Sequence, residues 1–532
     1  MPIDMQMKNS GRGYSANTPV FGCHENRMPG FKNMRSFFFT IVISSLLVSC
    51  SASKYASYNP SGKISAQKLK DDFVLLKKIL EANHPSLYWY TPKDSVDWYF
   101  NETLQGINDS MTEMQFKNKV AWFISKLSCG HTSVRPSKAY SEYVLKNRQN
   151  RFPLLLKAWD DSLVVLGSLN KNDTVFKRGT IITSIENFSN RFVLDSMFRF
   201  ISTDGYSNNF KNQAISFNFP LYYSFAFPLK DSFLIRYIDA SGTQKEKYVS
   251  LNKPATDTSK ENAAKQIANN IRQPTRKEIK AMMLLSQRSM IYDSSNHLAY
   301  MRVATFSGGN LRRFFRESFA ELKEKNISNL VIDLRENSGG NINMSALFAR
   351  YIKDTPFHVA DTAAAVSRSL HYSKYIYPSM LYRLAMRFTT SKKADGKFHF
   401  NELEHRYFKP YSSNHFNGNV YIIQGGYTFS AAAMFVLYVK GQKNVIVTGE
   451  ETGGGNYGTS AVHLPEIILP NSKVRVVLPL YRLVPDKTKI KNGRGIIPDI
   501  YIPPSSFDIR NSIDPKLQKV KELIQQHAAV TN

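Results

Sequence analysis

The chain has 532 residues, 42% of them hydrophobic, too many for one ordinary core, so roughly two to four folded units are expected. Its formal net charge of +28 is spread along the sequence without a long Lys/Arg block or a stacked aromatic motif. That pattern sets nucleic-acid binding aside and leaves attraction to anionic surfaces such as lipid headgroups or envelope polymers.

Residues 1–33 have no targeting character and would bury a signal internally, so translation is expected to start at Met34. Met34-Arg35-Ser36 precedes an apolar run from Phe37 that ends at Cys50, the order of a secretory signal. The run is too short to span a bilayer comfortably. Leu47-Val48-Ser49-Cys50 resembles the lipobox of bacterial lipoproteins, a resemblance that implies acylation of Cys50. An ordinary cleaved signal with an incidental cysteine is the alternative. Of Cys23, Cys50 and Cys129, only Cys129 would then remain free, so no intrachain disulfide is expected. Ser51-Ala52-Ser53-Lys54 holds no acidic residue, and a lipid-anchored place in the cell envelope, on the outer membrane facing the periplasm, is the expectation.

Residues 51–63 suit a tether. Leu69, Phe73, Leu76 and Leu80 then recur at helical spacing, and Thr112 with Gln115 forms a capping box ahead of Phe116, Val120, Phe123, Ile124 and Leu127. An N-terminal helical domain over 64–149 follows, with His131 just past a helix end. Short β-type runs at Leu163–Leu166, Thr180–Ile182 and Phe233–Tyr237 make 150–252 a β-rich module. Within it, the segment from Lys177 to Asn187 resembles the Gly-x-x-Ile-x-x-Ile-Asn-Gly stretch of PDZ-like domains, without the final glycine. The polar stretch 253–285 reads as a linker or a solvent-facing helix.

From 286 the pattern alternates strand and helix: strands at 298–303, 330–334, 420–423 and 445–447, helices at 311–323 and 431–440. Such alternation argues an α/β core over 286–505. Residues 358–415, rich in aromatic and basic side chains, interrupt it as an expected lid or docking surface, and 506–532 reads as a C-terminal helix.

Gly425-Gly426-Tyr427-Thr428-Phe429-Ser430-Ala431 lies between a strand and a helix, where a serine sits on a tight turn beside free helix amides. A helix N-cap is the plain reading of such a serine. A second turn, Asp333-Leu334-Arg335-Glu336-Asn337-Ser338-Gly339-Gly340, follows a buried strand, and its paired glycines let backbone N–H groups approach a ligand. Two such turns at neighbouring strand ends would face one crevice.

These turns, with Tyr300-Met301-Arg302-Val303, Gly449-Glu450-Glu451-Thr452 and Gly495-Ile496-Ile497-Pro498-Asp499, resemble in order the motifs of the C-terminal processing, or tail-specific, peptidases. The resemblance implies a multi-domain α/β protein: a helical domain, a PDZ-like domain and a ClpP/crotonase-like peptidase core with Ser430 as nucleophile. Most of that family takes its base from a lysine just after Gly-Glu-x-Thr, whereas this chain reads Thr452-Gly453-Gly454-Gly455-Asn456. A branch similar to the tricorn protease core uses an upstream histidine instead. Leu127-Ser128-Cys129-Gly130-His131-Thr132 resembles its Asp-Gly-His-Thr motif, with Cys129 in place of the aspartate, and makes His131 the expected base.

The resemblance further implies an oxyanion hole from the N–H of Ala431 and of Gly339 or Gly340. It leaves the residue that orients His131 open among Asn492, Glu450 and Glu451. It also implies a protein or peptide substrate gripped by its C-terminal tail, with no cofactor and no metal; the histidines show no His-Glu-x-x-His spacing. Two rivals stand beside this reading. One is a catalytically silent peptide-binding lipoprotein of the same fold. The other makes Cys129 the nucleophile, with His131 poorly placed only two residues away.

Overall fold

The computed structural model describes residues 58–254, 272 and 274–531; the signal, the expected lipidation at Cys50 and most of the tether lie outside them. A six-stranded sheet forms the centre, in the order Arg288–Asp293, Leu298–Val303, Asn329–Asp333, Asn419–Gln424, Val445–Gly449, Ile500–Tyr501. Its first pair is antiparallel and the rest are parallel. Parallel strands need crossovers that cover both faces, which is why the central strands Asn329–Asp333, Asn419–Gln424 and Val445–Gly449 are buried almost throughout without alternation. On one face, Phe315, Phe348 and Phe435 stack face to face, at 4.3 and 4.4 Å between successive rings, carried by helices Leu311–Glu324, Ile342–Ala349 and Ala431–Val439. On the other, Val331, Tyr421 and Ile423 pack against Val520 and Ile524 of helix Pro515–Thr531.

The N-terminal helices Ala66–Asn83, Lys93–Gln105 and Glu113–Ser125 bury Phe73, Phe100 and Phe123 against one another, and the Thr112–Gln115 capping box opens the third. After that helix Ser128 takes φ 52°, turning the chain toward Gly130 and His131. Strand Val134–Arg135 then pairs with Arg475–Val477, stitching this region to the far end of the chain.

The β-rich region is an antiparallel sheet in the order Leu154–Trp159, Ser162–Ser168, Ile181–Ile185, Ser232–Ile238, Gln244–Ser250. Along Ser232–Ile238 buried and half-buried residues alternate, as one covered face requires. Helices Asn190–Phe198, Asn209–Phe217 and Phe219–Ala226 interrupt the strands, and their apolar faces complete a separate core around Phe152, Tyr223 and Phe233. Local β-type runs gave no sign of these helices. Helix Arg276–Gln287, opened by a Thr275–Glu278 capping box, buries none of its side chains and leaves Ile279, Met282, Met283 and Leu285 exposed, an apolar content that the reading of 253–285 as a polar stretch does not anticipate.

Residues 358–415 do not stand off as a lid. Thr362–Ala365 pairs with Tyr481–Val484, which continues to Thr459–Ala461, and Ile376–Tyr377 pairs with Glu466–Ile468. Backbone hydrogen bonds with later strands, invisible to a local pattern, tie the segment down. Its helix Ser379–Thr389 nevertheless exposes Met380, Leu381, Leu384 and Phe388 beside Arg383 and Arg387. In place of one C-terminal helix there are two, Ser506–Asn511 and Pro515–Thr531, divided at Ser512 with φ 54°.

Candidate active site

Two turns at the ends of neighbouring parallel strands build the floor of the site. Thr428 Oγ1 donates to Leu334 O (2.9 Å) and accepts from Gly425 N (3.0 Å), and Phe429 N donates to Asn337 O (3.1 Å). The Asn337 amide, fully buried, donates to Val303 O and accepts from Gly339 N. So bound, Ser430 is held at φ 53° and ψ −124°, a conformation that lifts its hydroxyl off a sharp strand-to-helix turn. Non-glycine residues rarely adopt it, and it persists only where the surroundings enforce it.

Ser430 Oγ lies 3.0 Å from His131 Nε2. The other ring nitrogen, Nδ1, lies 3.1 Å from Thr459 Oγ1, whose hydroxyl donates to Asp204 Oδ2 at 2.9 Å. A hydroxyl has one proton, so Thr459, donating to Asp204, accepts from His131 Nδ1–H. That order leaves the Nε2 lone pair facing Ser430. The second Asp204 oxygen accepts from Gly130 N at 2.8 Å, anchoring the loop that carries His131. Asp204 and Thr459 are both buried.

His131 packs its ring on Phe429, 4.8 Å between centroids, and Phe429 in turn meets Phe210. Burial lowers the His131 pKa, the charge of Asp204 opposes that, and the charge of Arg482 adds to it. The net shift is downward, so the ring is neutral and basic at neutral pH. Gly130 has to be glycine here: a Cβ would lie 2.6 Å from Phe429 and 3.0 Å from Asp204 N.

Of the expected oxyanion donors, Ala431 N opens helix Ala431–Val439 and has no acceptor within it. Gly339 is a correction: its N–H is engaged by Asn337 Oδ1, and it serves by its missing side chain, since a Cβ would stand 2.6 Å from that of Ser430. Gly340 N makes no hydrogen bond among the described residues.

The expected orienting residues are elsewhere. Asn492 is exposed and its Oδ1 accepts from Arg494 N within its own loop. Glu450 is paired with Lys516, and Glu451 is held by Arg494 and Gly495 N. Neither carboxylate is left to reach His131; Thr459 and Asp204 occupy that position. Sequence reasoning missed both: Asp204 only precedes a glycine in the β-rich region, Thr459 only follows one, and neither lies in a recognisable motif. Their 255-residue separation carries no local signal. Cys129 is buried, accepts from Thr132 Oγ1 at 3.3 Å, and burial raises its thiol pKa, a poor setting for a thiolate nucleophile.

Residues 297–502 match the model of Peptidase family S41. No curated protein matches the chain by sequence. Among solved structures, mature CPAF complexed with lactacystin superposes with a TM-score of 0.59 at 14% identity, covering 87% of this chain and 98% of that one. A second structure of mature CPAF gives 0.58 at 14% identity, with 87% and 97% covered. These likenesses show a shared fold. The tricorn protease aligns at 0.37 and 13% identity, covering 87% of this chain and 37% of that one, too low a score to bear on the site. Through the segment 297–502 and its ordered motifs, the chain is a serine-type peptidase that resembles the C-terminal processing peptidases of family S41.

Proposed function

We propose that the chain cleaves peptide bonds through an acyl-enzyme on Ser430 with His131 as base. Ser430 Oγ attacks the scissile carbonyl as its proton passes to His131 Nε2, and the imidazolium is held through Nδ1 by Thr459 and, behind it, Asp204. The Ala431 and Gly340 amides receive the oxyanion, a contribution of roughly two to three powers of ten per donor. His131 then protonates the leaving amine and later activates the water that frees the acid. The observation that carries this reading is the 3.0 Å contact of Ser430 Oγ with His131 Nε2, the other ring nitrogen being tied back.

A fluorophosphonate probe tests it. Ser430→Ala is expected to lose labelling entirely, and His131→Ala to label and hydrolyse slower by about four or more powers of ten. Equal labelling of wild type and Ser430→Ala would leave the silent peptide-binding reading in its place.

The proposed division is a helical domain (64–149), a PDZ-like domain (150–252) and a ClpP/crotonase-like core (286–505); the separate hydrophobic core of the β-rich stretch supports the middle unit, whereas the N-terminal helices share one core with the peptidase segment. For the substrate, we infer envelope proteins or peptides held by a C-terminal tail added as a strand to the β-rich sheet, whose edge strand Gln244–Ser250 is exposed along most of its length. Trimming residues from a substrate's C-terminus should raise KM; an unchanged KM would remove the tail grip.

Membrane attachment through Cys50, on the outer membrane facing the periplasm, completes the proposal. No helix among the described residues is long and apolar enough to cross a membrane. The apolar, Arg-flanked face of Ser379–Thr389 suits an anionic bilayer surface. Radiolabelled fatty acid should enter wild type and not Cys50→Ala; incorporation into both would refute the anchor.

A further inference from the structure

Against the strand pair that carries Thr459 lies a cavity of about 300 Å³ with an unusual polar balance. Arg482, only 4% exposed, lines it, and its Nε and Nη2 find no hydrogen-bond partner. The guanidinium lies over the Trp89 ring at 4.0 Å, an aromatic face that offsets only part of the loss of water around a buried charge. Two further lining groups are also orphaned: the Trp89 indole N–H and the Thr362 hydroxyl. Lys397 and Lys487 stand exposed at the rim, and no carboxylate lines the cavity among the described residues. Buried polar groups are nearly always paired, so several orphans around one cavity mark a missing acceptor. The surplus of positive charge makes that acceptor an anion.

The position ties it to the chemistry. Arg482 is paired in register with Ser460, the neighbour of Thr459, and Tyr457 both lines the cavity and stacks on Trp89 at 6.0 Å. Arg482 is close enough to His131 for its charge to be felt there.

We propose that this cavity is a substrate subsite for a carboxylate of the peptide being cleaved, an acidic side chain or the free chain end, with Arg482 as its charged floor. The inference rests on the peptidase reading. The volume, at the small end for ligand pockets, fits one side chain or terminus rather than a large cofactor.

Internally quenched peptides in matched pairs test it, with Glu against Gln at each position around the scissile bond and a free against an amidated C-terminus. At one position the acidic member should have a kcat/KM about ten- to a hundredfold higher, the range of a charged hydrogen bond. A Glu/Gln difference identifies a side chain, and an acid/amide difference identifies the terminus. Arg482→Gln should erase that ratio and Arg482→Lys restore part of it. Where these buried changes upset folding, the exposed Lys487→Gln should narrow it. Equal turnover of every pair by wild type overturns the subsite. Loss of all turnover and of probe labelling would instead sink the peptidase reading. Calorimetry of the same pairs on Ser430→Ala then decides the subsite alone, equal affinities counting against it.

Discussion

Ser430 and His131 are joined by one short contact, but the state of that contact is set by Thr459. Its hydroxyl relays the Asp204 charge to His131 Nδ1 while accepting the hydrogen bond of the ring N–H, so a side chain with no pKa of its own chooses the tautomer. Thr459→Val removes the acceptor and should lower kcat by roughly two to four powers of ten with little change in KM, whereas Thr459→Ser should recover most of it. Equal kcat in the valine and serine variants would show that the hydroxyl plays no part. The pH profile belongs to the same scale. Because the folded pKa of His131 is lowered, the ring stays neutral further into acid than an exposed histidine, and the acid limb of kcat/KM is expected below about 6.5. An inflection above that value would contradict the buried, neutral ring.

At the scale of elements, the helix Ala66–Asn83 ends at His84, which props the loop carrying His131. His84 Nδ1 accepts from Ser86 N (3.0 Å), its Nε2–H therefore donates to Thr132 Oγ1 (2.8 Å), and Thr132 donates to Cys129 Sγ. Burial pushes the His84 pKa down to about 3. Below the unfolded value of about 6.5 the unfolded chain binds a proton that the folded one refuses, so stability is full above that pH and is lost as pH falls toward 3. Urea titrations between pH 7.5 and 5 should show stability falling by up to about 1.4 kcal/mol per pH unit from this one group. His84→Gln should remove that share of the slope; an unaltered slope would place the acid sensitivity elsewhere.

For the whole molecule, the decisive feature is that the site is assembled from three distant stretches: 128–132, 203–206 and the core around Ser430 and Thr459. Gly205 is the tightest of the seams. Its φ of +72° and a hypothetical Cβ 2.2 Å from Gly493 O leave no room for a side chain, while Gly205 N donates to Ser128 O and Tyr206 N to Gly493 O. Gly205→Ala should push Asp204 off Thr459 and lower kcat about a hundredfold, the effect of a misplacement near 1 Å. The circular-dichroism spectrum should stay folded and KM nearly unchanged; wild-type kcat would mean that the loop tolerates the shift.

Much of this protein is legible in its amino-acid order. The strand Leu298–Val303, the capping box at Thr112, the turn that lifts Ser430 and the loop that ends in His131 all follow from periodicity, turn chemistry and motif order, which act over a few residues. The Thr459–Asp204 support, the engagement of the Gly339 amide by Asn337, the pairing of 358–415 with later strands and the unpartnered Nε and Nη2 of Arg482 are not legible there. Each depends on groups brought together across long stretches of chain, where hydrogen bonding and burial are decided by packing and leave no trace in local spacing.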